Sequence, residues 1–134
     1  MLMRSTTLRI LIVDDSATFR EALRSMLEAH NNWEVCGEAV DAAEGIEKNR
    51  LLTPHLIIMD LAMPGMSGIA AASEILRESP EIPILLLTVF YTDQLAEEAH
   101  KVGIRATISK TAAREIVGAI DKIAYSGGLT APNR

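Results

Sequence analysis

Residues 57–68 read IIMDLAMPGMSG, and this stretch decides the fold. Ile57, Ile58 and Met59 are too apolar and too β-prone for a strand with one wet face. They read as a strand buried on both faces, as in a parallel sheet. The run stops on a single acid, Asp60, and a loop marked by Pro64-Gly65 follows. Asp60 is therefore expected at the carboxyl end of its strand, the edge where open α/β sheets bind ligands. Alone, such an Asp merely ends a strand, so its weight depends on what the rest of the chain brings to that edge.

Working outward, the same punctuation recurs. Leu8 to Val13 is a first apolar strand that ends on Asp14 and Asp15. Ser16 can cap a helix in which Phe19, Leu23, Met26 and Leu27 recur at helical spacing. Trp33 to Val40 reads as a second, more exposed strand. Asp41 then caps a helix to about Leu51, with Ala43, Ile46 and Leu51 expected inward and Thr53-Pro54 as its break. Beyond the Pro-Gly loop, Ser67 caps a third helix from Gly68 to about Ser79 with Ala71, Ile75 and Leu76 inward. Ile82 to Thr88 is another fully apolar strand. Thr92 or Asp93 caps a fourth helix, with Leu95, Ala99 and Val102 on one face and Gly103 as its stop. Ala106 to Ser109 is a short fifth strand with Lys110 directly after it. Ala112 to about Tyr125 is the last helix, with Ile116, Ile120 and Ile123 inward. Strands and helices thus alternate five times with short links. That predicts right-handed crossovers and a doubly wound parallel α/β sheet, the flavodoxin-like (βα)5 fold with strand order 2-1-3-4-5. The expected organisation is a lead at 1–7, one domain at 8–126 and a linker-like tail at 127–134.

Composition narrows the function. The chain has 134 residues, 49% apolar and 23% charged, which suits one soluble domain with a real core. A net charge of −5 argues against gripping a nucleic-acid backbone directly. One cysteine, Cys36, permits no internal disulfide, and the three histidines are too scattered to build a metal set. The run from Ile10 to Val13 is too short for a signal peptide or a membrane span. The chain therefore reads as cytoplasmic.

In the 2-1-3-4-5 order, the strand ends gather Asp14, Asp15, Asp60, Thr88 and Lys110 on one patch. Crowded carboxylates repel, and a proton or a cation must relieve them. An all-oxygen ligand set suits Mg2+, which binds through a few carboxylates and keeps several waters. A Thr hydroxyl and a Lys ammonium are good phosphate donors. The chemistry that fits is phosphoryl transfer onto Asp60, with Mg2+ and Lys110 offsetting the developing charge. Each residue alone has a bland explanation: a cap, a strand residue, a solvated lysine. All of them in the right order on the right strands do not.

These motifs, ILIVDD at 10–15, IIMDLAMPGMSG at 57–68, LLLT at 85–88 and the lone Lys110, resemble the receiver domain of two-component response regulators. The resemblance runs from about Leu8 to Tyr125. It implies a sensor histidine kinase as phosphoryl donor to Asp60. It implies that Asp15, Asp60 and the carbonyl of Ala62 ligate Mg2+ directly, that Asp14 acts through a coordinated water, and that Thr88 and Lys110 contact the phosphoryl oxygens. The segment IAYSGGLTAP at 123–132 looks like the end of a receiver of the LuxR type, whose helix-turn-helix output domain would supply DNA binding and transcription control. No such domain is present here; the chain reads as a stand-alone receiver or a truncated one, and the abrupt polar tail favours truncation. A homodimer is a further implied partner.

The sequence also departs from the family pattern. Thr107 stands three residues before Lys110, where the family usually has an aromatic switch. Val89 follows Thr88 where a smaller residue is common. Ala62 and Phe90 occupy positions that tune phosphoryl lifetime, and neither can orient an attacking water, so a long-lived phosphoryl group is expected. Thr111 stands where many receivers have Pro, so no cis peptide is expected there. The alternative reading is a receiver-like interaction or dimerisation module that works without phosphorylation. An enzyme acting on an outside substrate fits poorly. D-D-S at 14–16 lacks the D-x-D of haloacid-dehalogenase phosphatases, no glycine-rich phosphate loop follows a strand, and two acids there would repel a flavin phosphate. The expected catalysis is confined to the chain's own phosphorylation and dephosphorylation.

Overall fold

The computed structural model describes residues 7–112 and 114–126. The proposed lead, apart from Thr7, and the proposed tail at 127–134 lie outside the described residues. Five strands alternate with five helices: β1 Leu8–Val13, α1 Ala17–Glu28, β2 Trp33–Ala39, α2 Ala42–Leu52, β3 Leu56–Asp60, α3 Gly68–Glu78, β4 Ile84–Thr88, α4 Asp93–Val102, β5 Ala106–Ser109 and α5 Arg114–Ser126. A single 3-10 turn, Lys110–Ala112, joins β5 to α5. All strand pairs are parallel and the order is β2-β1-β3-β4-β5. Sequence pattern and fold therefore agree on the flavodoxin-like class.

The central strands are apolar on both faces because each face has its own core. Ile10, Ile12, Leu56, Ile58, Leu85 and Leu87 point to the side covered by α1 and α5, where they meet Leu23, Leu27, Ile116 and Ile120. Their alternate neighbours Leu11, Val13, Ile57, Met59, Ile84 and Leu86 meet Ala42, Ile46, Ala71, Ile75 and Ala99 on the other side. A strand sandwiched this way cannot show an alternating pattern. Burying these side chains at about 1.5–3 kcal/mol each supplies the main force holding the layers together. The pairing of β1 with β2 slips once, so that Ile10 faces Val35 and Leu11 faces Gly37. Cys36 is the extra residue at this bulge, half-buried, and burial pushes its thiol pKa up.

Each of the first four helices starts on a capping side chain that accepts the N–H of the residue three further on. Ser16 accepts from Phe19, Asp41 from Glu44, Ser67 from Ala70 and Thr92 from Leu95. Gly103 ends α4 at φ 107°, a left-handed conformation that only glycine adopts cheaply. The inward face of α2 differs from expectation. Ala42, Gly45, Ile46 and Asn49 are buried, whereas Ala43 is exposed and Leu51 is 69% exposed. Gly45 explains the rotation: a Cβ there would lie 3.0 Å from both methyls of Val13, so the helix backbone itself rests on β1. On α5, Ile116, Ile120 and Ala124 are buried and Ile123 packs at the margin. No helix among the described residues is long and apolar enough to cross a membrane.

Candidate functional site

The carboxyl ends of β1 and β3 lie side by side, and β4 and β5 follow, so the residues that end these strands come together. One carboxylate oxygen from each of Asp14, Asp15 and Asp60 falls within 4.8 Å of the others. Asp14, Asp60 and Thr88 are buried at 1%, 5% and 3% exposure, while Asp15 is exposed and forms the mouth. Lys110 reaches in from the 3-10 turn after β5. Its Nζ lies 2.7 Å from Asp14 Oδ2 and 3.3 Å from Asp60 Oδ1. Asp14, Asp15, Asp60, Thr88 and Lys110 therefore stand where the strand order places them.

The electrostatics follow from that crowding. Burial raises the pKa of Asp60 above the ordinary carboxylate value, the charge of Asp14 adds to the rise, and Lys110 opposes it. Burial alone would lower the Lys110 pKa, but the carboxylates of Asp14 and Asp60 outweigh it and hold the ammonium more firmly charged than usual. Three carboxylates facing one ammonium leave two negative charges when all are ionised. Asp14 Oδ2 is fully buried, and its partner is the Lys110 ammonium at 2.7 Å. An oxygen-only set of clustered carboxylates with two negative charges left over fits a small divalent cation such as Mg2+.

Backbone and capping groups hold the acids in place. Ser16 N–H donates to Asp14 Oδ1 at 2.8 Å, and Arg20 Nη1 donates to the Asp14 carbonyl at 2.7 Å. Leu61 N–H donates to Leu87 at 2.8 Å, and Gly68 N–H donates to Leu61 at 2.8 Å, so the chain after Asp60 is tied to β4 and to the start of α3. A Cβ on Gly68 would sit 2.2 Å from the Asp60 carbonyl oxygen. Only glycine permits α3 to begin this close to the acid. Thr88 Oγ1 accepts the Phe90 N–H at 3.1 Å, which leaves the hydroxyl proton to be donated elsewhere. Ala62 is exposed on the loop after Asp60. Val89 and Phe90, 55% and 82% exposed, follow Thr88 at the surface. Thr107 is half-buried on β5, paired with Leu86 of β4.

Four contributors were not foreseen as parts of the site: the Ser16 N–H, Phe19, Arg20 and Gly68. Ser16 was legible only as a cap, although two acids directly before a cap already put a carboxylate within reach of its N–H. Phe19 read as a core residue, yet its ring centroid lies 4.4 Å from Lys110 Nζ. Gly68 acts through a tertiary approach that no local pattern encodes.

A doubly wound parallel sheet with three acids facing a lysine and a threonine at its carboxyl edge defines a class of phosphoryl-accepting signalling domains. Comparison with known proteins agrees: residues 10–121 match the response regulator receiver domain, and the chain belongs to that family, whose members are regulatory. Response regulator protein VraR of Staphylococcus aureus is 35% identical over 127 residues, covering 94% of this chain and 61% of that protein. A LuxR-family two-component response regulator from Aurantimonas sp. SI85-9A1 superposes with a TM-score of 0.86 at 33% identity, covering 90% of this chain and 87% of that one. The response regulator domain of Thermotoga maritima CheB gives a TM-score of 0.81 at 28% identity, over 87% and 95% of the two chains. This chain thus spans about three fifths of the length of the curated relatives it matches.

Proposed function

We propose that this receiver accepts a phosphoryl group on Asp60 from a phosphohistidine of a sensor kinase. The observation that carries this reading is the meeting of Asp14, Asp60 and Lys110 at adjoining strand ends, with Lys110 within 3.3 Å of the acceptor carboxylate. A carboxylate oxygen of Asp60 attacks phosphorus, the O–P bond forms, the donor N–P bond breaks, and the electron pair leaves with the donor imidazole. The raised pKa of Asp60 makes it a stronger nucleophile once ionised. Lys110 meets the charge developing on the phosphoryl oxygens, and the free hydroxyl proton of Thr88 donates to the same group. Asp15, Asp60 and the Ala62 carbonyl would hold Mg2+ directly, with Asp14 acting through a coordinated water. When bound, the ion would neutralise negative charge on acceptor and phosphoryl group together.

The domain is assigned to 8–126, with 127–134 as a linker-like tail. Through that tail the receiver would control a LuxR-type DNA-binding output domain in the cytoplasm, with a homodimer as one route of control. Its only catalysis would be its own phosphorylation and dephosphorylation. Intact mass after incubation with a small acyl phosphate, with and without Mg2+, tests this. The expected result is a Mg2+-dependent gain of one phosphoryl group in wild type and none in Asp60→Asn. Thr107, where the family pattern has an aromatic, favours a second reading: an interaction module that works without phosphorylation. No gain in folded wild type would decide for it.

A further inference from the structure

Lys110 is not held by the acids alone. Its Nζ also lies over the ring of Phe19, 4.4 Å from the centroid, and its side chain is only 15% exposed. A cation this close to an aromatic face is attracted by the ring quadrupole, and more strongly where water is scarce. Phe19 in turn is fixed by the acid that Lys110 pairs with. Asp14 Oδ1 accepts the Ser16 N–H at 2.8 Å, Ser16 Oγ accepts the Phe19 N–H at 3.1 Å, and Asp14 Oδ2 meets Lys110 at 2.7 Å. The contacts close a ring: Asp14, Ser16, Phe19, Lys110 and back to Asp14. The next residue, Arg20, ties the same helix turn to the Asp14 carbonyl and to Glu38 of β2, each at 2.7 Å.

We propose that Phe19 is a positioning residue for Lys110, and that the first turn of α1 senses the charge state of Asp60 through it. The inference rests on Asp60 being the phosphoacceptor. When Asp60 gains a phosphoryl group, Lys110 is drawn toward the new oxygens. Its movement changes its contact with the Phe19 ring, and the backbone N–H of Phe19, held by Ser16 Oγ, links that ring to the capped first turn of α1. This gives the receiver a sensing aromatic on α1, where Thr107 supplies none on β5.

Three variants and three readouts test it. In the unphosphorylated protein, NMR of the Lys110 ε-methylene should show a ring-current displacement in wild type, lost in Phe19→Leu and restored in Phe19→Trp. Phe19→Leu keeps an apolar side chain in the core, so its folding is checked by the unchanged signals of Leu27 and Ile116. With acyl phosphate and Mg2+, amides 16–20 should shift in wild type and Phe19→Trp. In Phe19→Leu that response should shrink, and phosphorylation should slow by about threefold or more. Thr107→Val should leave all three readouts as in wild type. An undisplaced Lys110 signal in wild type overturns the proposal, as does a Phe19→Leu protein that is phosphorylated at the wild-type rate with a wild-type shift in α1. If wild type takes up no phosphoryl group, the phosphoacceptor reading itself falls, whatever the ring-current result. The two failures are therefore distinguishable.

Discussion

The helices α1 and α4 both begin at the carboxyl edge of the sheet, and they are held very differently. α1 buries Leu23 and Leu27 completely against β1 and β2. Arg20 and Arg24 grip the two oxygens of Glu38 on β2 at 2.7 and 2.8 Å, and Phe19 reaches Lys110. α4 buries only Ala99, and the segment before it exposes Val89, Phe90 and Tyr91. One helix is tied to the site by side-chain contacts and the other is packed against α3 and β5. Local opening follows the number of buried apolar contacts, so α4 belongs to the low-stability end of this fold and α1 to the high end.

The contrast breaks most readily at the cores of the two helices. Leu27→Ala should destabilise the domain by about 2–5 kcal/mol, as expected for a fully buried leucine. Leu95→Ala on the half-exposed face of α4 should cost less than about 1.5 kcal/mol. Urea denaturation of both variants measures the gap, and equal losses would abolish the distinction. A smaller effect concerns acid. The hydrogen bond from Arg20 holds the Glu38 pKa below the ordinary glutamate value, against a partial opposing push from burial. A depressed glutamate pKa contributes stability that is complete above the unfolded value and is lost as pH falls through the folded one. The melting temperature of wild type should therefore fall more steeply with acidification across that window than that of Glu38→Gln. Parallel slopes would mean that the arginine grip contributes nothing. The smallest effect is expected at the α4 entrance, where Phe90→Ser should change stability by no more than about 0.5 kcal/mol. A larger loss by thermal melting would show that the exposed ring is packed in solution.

How far the sequence spoke for itself differs along the chain. The central strands β1, β3 and β4, with Asp14, Asp15, Asp60 and Thr88 at their ends, were legible because apolar runs buried on both faces end abruptly; β2 and β5 were read from shorter β-prone runs, and the order of the strands then places whatever ends them, Lys110 included. The capping residues were legible because their chemistry is local. The inward face of α2 was not. Ala42 and Gly45 carry almost no hydrophobic signal, and what turns them inward is a close approach to Val13 that exists only in three dimensions. The Arg20–Glu38 pair bridges residues 18 apart on different elements, and charge alone does not choose among partners at that range. The Phe19–Lys110 contact joins the first helix to the end of the fifth strand, so it required the finished fold.

Gly68 bears on how any mutational survey of this domain would read. Its missing side chain is what lets α3 start against the Asp60 carbonyl, since the nearest atom a methyl would meet is 2.2 Å away and belongs to backbone that is itself pinned to β4. Neither partner is a flexible side chain that could step aside. A screen scored on phosphorylation would therefore rank position 68 beside position 60, and a reader of that screen would infer a reacting group where there is none. In this domain, intolerance to substitution marks two different things: an atom that takes part in the chemistry, and a volume that has to stay empty so that the first atom is in place.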